Sequence, residues 1–137
     1  MVAATETLAE PKTRPWAGYI VSALPILFLT MDAVGKLIKP QAVITGTVEL
    51  GYQESIIVPL GTLLLACTIL YAVPRTAVLG AILLTGYLGG TVATHARIGN
   101  PVFSHMLFGV YIGIFVWLGL YLRDTRLRQL LPFTSRP

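Results

Sequence analysis

The sequence predicts an all-α integral membrane four-helix bundle with both termini in the cytoplasm, and three observations carry that prediction. Four long apolar stretches lie within residues 16–122, and almost every charge sits between or outside them. The chain of 137 residues is 55% hydrophobic and 12% charged, with a mean hydropathy of +0.75, whereas a soluble domain carries about 25% charged residues. The basic residues are also unevenly divided between the two sides that four crossings define. Lys12, Arg14, Arg75, Arg123, Arg126, Arg128 and Arg136 fall on one side and only Lys36, Lys39 and Arg97 on the other. The positive-inside rule makes the first side cytoplasmic.

Taken in order, residues 1–15 are polar, contain Pro11 and Pro15, and read as a disordered cytoplasmic tail. The membrane domain covers 16–122, with spans at about 16–38, 55–73, 76–94 and 102–122. Roughly 20 apolar residues cross a hydrocarbon core of about 30 Å. Trp16 and Tyr19 open the first span at the inner interface, where amphipathic aromatics sit; Tyr71, Trp117 and Tyr121 fall at the same level. Pro25 and Pro59 lie within spans 1 and 2 and predict tolerated kinks. The long connection 39–54 mixes Val43, Ile44, Val48 and Leu50 with polar residues, which predicts a short amphipathic element on the outer surface. Pro74-Arg75 forces a hairpin between spans 2 and 3, and Gly99-Asn100-Pro101 marks the second outer turn. Gly86–Gly90 and Gly109–Gly113 have the small-xxx-small spacing that lets helices approach closely, inside the bundle or in a homo-oligomer. Residues 123–137 form a basic cytoplasmic tail.

Several function classes drop out. Basic residues flanking spans are topology signals and attract anionic lipid headgroups, so no nucleic-acid partner is expected; the bilayer itself is the main partner. Cys67, the single cysteine, lies in the middle of span 2 and forms no internal disulfide. No phosphate-cradling glycine loop and no nucleophile elbow is present, so no catalytic residue can be assigned.

Ionisable groups at membrane depth are expensive and mark sites. Counted from the inner boundary at about 1.5 Å per residue, Asp32 lies about 24 Å, His105 about 27 Å, His95 about 30 Å and Glu54 about 31 Å along their helices. Together with Lys36, Arg97 and Glu49 they form a candidate polar cluster at the outer end: Asp32, Lys36, Glu49, Glu54, His95, Arg97 and His105. Asp32 and Lys36 are four apart on one helical face and predict an ion pair. The cluster reads either as helix-end ion pairs or as a headgroup site that hydrogen-bonds a carbonyl or hydroxyl and moves protons. The two histidines lack a cysteine or carboxylate at metal-ligand spacing, so no metal is expected.

Met31–Leu37, Leu50-Gly51-Tyr52, the run Val73–Arg97, and Trp117–Leu120 followed by Arg123-Asp124 together resemble the DoxX-like family of small four-helix bacterial membrane proteins. The resemblance spans about residues 24–132. It implies a multi-pass protein of the bacterial inner (plasma) membrane, in a family named after a subunit of a quinol oxidase. Related members are linked to membrane redox and oxidative stress. It also implies that Asp32, Lys36, His95 and Arg97 are the polar positions to carry over, and that a quinone is the candidate ligand, although no cofactor motif is visible.

Three functions compete. The favoured one is a redox-associated, non-autonomous membrane component that binds a quinone-like headgroup at the outer cluster. Here His95 bonds a quinone oxygen, Asp32 or Glu54 takes up protons, and Lys36 and Arg97 hold negative charge. The alternative is a scaffold for a membrane or periplasmic protein partner. A small proton-coupled transporter ranks third, because no charge lies between Trp16 and Met31.

Overall fold

The structure, a computed structural model, describes residues 15–130. The tail expectations for residues 1–14 and 131–137 lie outside the described residues. Six α-helices follow one another: α1 Pro15–Ile38, α2 Gln41–Glu49, α3 Ile57–Ala72, α4 Ala77–Arg97, α5 Phe108–Arg123 and α6 Thr125–Leu130. A 3-10 turn, Glu54–Ile56, leads into α3, and a π-helical turn, Val102–Met106, leads into α5. Among the described residues there is no strand.

Four helical stretches are long and apolar enough to cross a membrane: Trp16–Ile38, Glu54–Ala72, Ala77–Arg97 and Val102–Arg123. Between 22% and 33% of each span's apolar window is buried inside the molecule. The remaining apolar surface points outward, which only a lipid surrounding leaves without penalty. α1 packs against α3 and α5, and α4 packs against the same two helices, so the spans form a square with α1 and α4 on one diagonal. One end carries Arg75, Arg123, Arg126 and Arg128 and is called the arginine end below; the opposite end carries His95 and His105 and is called the histidine end.

Glycine sets the spacing at each of the four packed faces. A Cβ at Gly61 would lie 2.7 Å from the Lys36 Cβ, closing α3 on α1. One at Gly80 would lie 2.5 Å from the Tyr71 Cα, closing α4 on α3. Gly109 sits 2.9 Å by the same measure from the Leu88 carbonyl oxygen, closing α5 on α4, and Gly119 sits 2.8 Å from the Ser22 nitrogen, closing α5 on α1. Helices in lipid gain little from apolar burial alone, so this close backbone contact is what holds the bundle. Leu29, Ala33, Leu64, Tyr71, Ala81, Leu84, Val116 and Leu120 fill the space between these contacts.

Four expectations change. Gly86, Gly89 and Gly90 meet nothing within 4 Å of a built Cβ, so of the two places expected for that stripe the inside of the bundle drops out, and Gly80 closes the α3–α4 contact. Tyr71 is fully buried instead of sitting in an interfacial belt. Its hydroxyl donates to the Val116 carbonyl at 2.7 Å and lies 3.1 Å from Ser22 Oγ, tying α3 to α5 and α1. Pro59 falls in the first turn of α3 instead of its interior, where helix N–H groups lack intrahelical acceptors. Residues 125–130 form α6, packed through the buried Leu127, where a tail was expected. Pro25 does lie inside α1, fully buried.

Candidate functional site

The histidine end is built from two turns and α2. α1 stops at Lys39, which takes a left-handed φ of 57°, and Pro40 starts α2. The 39–54 connection thus contains a nine-residue helix whose Val43 and Ile44 are half-buried and whose Thr47 is buried. α4 ends at Gly99, whose φ of 74° suits the left-handed position after a helix. Asn100 N–H then donates to the His95 carbonyl at 3.1 Å, folding the Gly-Asn-Pro turn back over the last turn of α4.

The expected site residues separate into pairs. Lys36 Nζ bonds Asp32 Oδ2 at 2.5 Å, with the lysine side chain 15% and the aspartate 39% exposed. The Lys36 stem lies over Gly61, the only residue type that leaves room there. Glu54 is exposed and pairs with Lys39 at 3.4 Å. Arg97 Nη2 donates to the Leu50 carbonyl at 3.1 Å, clamping the end of α2 to α4. A Cβ on Gly51 would lie 2.8 Å from that same Nη2, and Gly51 also has a φ of 90°, so two constraints demand glycine beside the clamp. Glu49 is exposed at the end of α2 and makes no ion pair among the described residues.

His95 and His105 come together, with ring centroids 6.0 Å apart and planes at 65°. Asn100 Nδ2 lies 2.7 Å from His95 Nδ1. An amide NH₂ only donates, so in the neutral ring, with the amide so oriented, Nδ1 accepts and the proton sits on Nε2. His105 Nδ1 is 2.8 Å from Ser104 Oγ. The π-helical turn inserts an extra residue into the start of span 4, through the Met106-to-Pro101 and Leu107-to-Val102 hydrogen bonds. Such turns recur at functional sites. Among the described residues no group of three His, Cys, Asp or Glu side chains is arranged to hold a metal ion.

An apolar groove of about 360 Å³ runs between α4 and α5. Thr85, Leu88, Gly89 and Val92 line one wall; Gly109, Val110, Gly113, Ile114 and Trp117 line the other. Residues 85, 88, 92 and 95 repeat at helical spacing on one face of α4, so His95 continues the wall outward by one turn. Trp117 Nε1 donates to Thr85 Oγ1 at 2.7 Å and closes the deep end. The missing side chains of Gly89 and Gly113 leave room for the groove, and its volume falls in the range of about 300–1,000 Å³ usual for small-molecule sites.

Sequence reasoning did not assign Asn100, Tyr52, Thr94, Tyr87, Thr85 or Trp117 to the site. Tyr52 Oη lies 2.6 Å from Thr94 Oγ1 and joins the loop to α4. Tyr87 packs against the buried core cluster. The one available signal was local: His95 and Asn100 flank a glycine turn.

The sequence model of the DoxX-like family matches residues 20–119. No curated relative and no solved structure matches the chain. The matched stretch takes in α2 to α4 whole, most of α1 and most of α5, including both histidines and all residues that line the groove. With well over half its length matched, the chain belongs to the DoxX-like family.

Proposed function

We propose that this protein is a redox-associated, non-autonomous membrane component that binds a quinone-like amphiphile at the histidine end. The observation that carries the reading is the helical register that sets His95 one turn beyond Val92 of the α4–α5 groove, with the His105 ring 6.0 Å from it. An apolar tail lies in the groove among Leu88, Gly89, Val92 and Gly113, and a carbonyl or hydroxyl headgroup meets the Nε2–H of His95. Asn100 orients that donor by occupying Nδ1. The paired Asp32 and Lys36 supply a second polar position in the same half of the bundle. The chain contributes binding and orientation, and a partner supplies the electrons.

Extraction into native-lipid nanodiscs, followed by mass spectrometry of co-purifying small molecules, tests the reading. A stoichiometric quinone that is lost in His95→Ala and reduced in Asp32→Asn is the expected result. Quinone content equal in the wild type and both variants, or bulk lipid only, contradicts it. A scaffold role is the second reading, favoured by the outward glycine stripe Gly86, Gly89 and Gly90 on α4, against which a partner helix can pack closely.

A further inference from the structure

The arginine end holds a second, separate cavity of about 180 Å³, lined by Tyr19, Pro74, Ala77, Leu120, Arg123, Asp124, Thr125 and Arg126. Its two arginine side chains are bonded to neighbouring groups. Arg123 stacks 4.5 Å from the Tyr71 ring centroid and donates through Nη2 to the Tyr71 carbonyl at 2.6 Å. Arg126 reaches the Asp124 carboxylate through Nε and Nη2 and the Pro74 carbonyl through Nη2. Arg123 Nε is buried with no hydrogen-bond partner among the described residues, as is the Nε of Arg128 outside the cavity. A buried guanidinium N–H without a partner calls for an explanation, and an anion is one. Two guanidinium charges face one carboxylate, so the cavity keeps one net positive charge.

We propose that this cavity binds a phosphate group. Arginine is the side chain best suited to it, because planar paired donors match phosphate oxygens. Tyr19 and Thr125, both hydroxyl-bearing residues, also line the cavity. The cavity opens where α1 begins and α5 ends, at the boundary of the apolar spans, which is the level of lipid headgroups. A phospholipid headgroup and free phosphate share this chemistry.

The full chain, purified in neutral detergent, is titrated with phosphatidylglycerol, with diacylglycerol as the phosphate-free analogue, and with inorganic phosphate, and adducts are read by native mass spectrometry. Phosphatidylglycerol is expected to be retained over diacylglycerol. Arg126→Gln, at an exposed side chain, is expected to weaken it about tenfold, the worth of one hydrogen bond to a charged group. Arg75→Gln, in the exposed turn outside the cavity, is expected to leave it unchanged. Displacement of the lipid by inorganic phosphate assigns the site to the bare phosphate group, and resistance to displacement assigns it to the lipid. Equal retention of phosphatidylglycerol and diacylglycerol overturns the proposal. So does an equal loss in Arg75→Gln and Arg126→Gln, which marks diffuse surface charge.

Discussion

His95 owes its donor geometry to Asn100, and neither residue acts alone at this end of the bundle. Replacing Asn100 by Ala frees Nδ1 and lets the ring exchange tautomers. Headgroup affinity is then expected to fall about fivefold while the protein still inserts, as read by ligand titration. At the arginine end, Asp124 accepts the backbone N–H of Arg126 at 2.9 Å and caps α6. Burial pushes its carboxyl up, but the Arg126 side chain, the Arg126 and Leu127 backbone and the Arg126 charge outweigh burial and hold it below the ordinary 3.8. A depressed carboxyl stabilises the fold above its unfolded pKa, and that contribution is lost as pH falls through the folded value. Asp124→Ala is therefore expected to lower stability by about 1 kcal/mol at neutral pH. The difference from wild type should vanish in acid below the carboxylate range, as followed by thermal unfolding in detergent. The Asp32–Lys36 pair was legible from spacing alone, because i and i+4 share a helical face. The Tyr52–Thr94 bond was not, since 42 residues separate its partners.

At the scale of elements, glycine placement decides which helix faces meet. Gly80→Ala drives a methyl into the Tyr71 backbone and is expected to lower stability by about 1–3 kcal/mol, the usual effect of overpacking. Gly86→Ala and Gly90→Ala meet open space and are expected to raise it by about 0.5–1 kcal/mol through helix propensity. Unfolding midpoints in a denaturing detergent series separate the two groups, and a loss at Gly86 would place a partner on that face. Four spans were readable because length and hydropathy suffice to find them. The packed face of α4 was not, for a physical reason: lipid demands apolar residues on the outer side too, so no polar stripe marks it. The spacing of Gly86 and Gly90 is the same whether it faces a helix or the bilayer. The π-helical turn before α5 escaped for a related reason, since Val102–Met106 is apolar enough to read as an ordinary first turn.

The whole molecule is a square of four helices with a histidine end, an arginine-rich end that holds one cavity, and a groove between α4 and α5. Seven of ten basic residues belong to the arginine side, from which the positive-inside rule predicts a cytoplasmic arginine end. On a Cys67→Ser background, Gln129→Cys is expected to react with a membrane-impermeant thiol reagent only after the cells are opened, and Gln41→Cys from outside; the reverse pattern contradicts that orientation. The most direct test of ligand binding uses the two tryptophans, of which Trp117 lines the groove and Trp16 sits at the far end of α1. In a Trp16→Phe protein, a short-chain quinone is titrated while Trp117 fluorescence is recorded. Saturable quenching, weakened about fivefold by His95→Ala and abolished by the groove-filling Gly113→Leu, is the result this account requires. Linear quenching of equal slope in all three proteins would mean that quinone meets Trp117 only by collision from the lipid, and would contradict it.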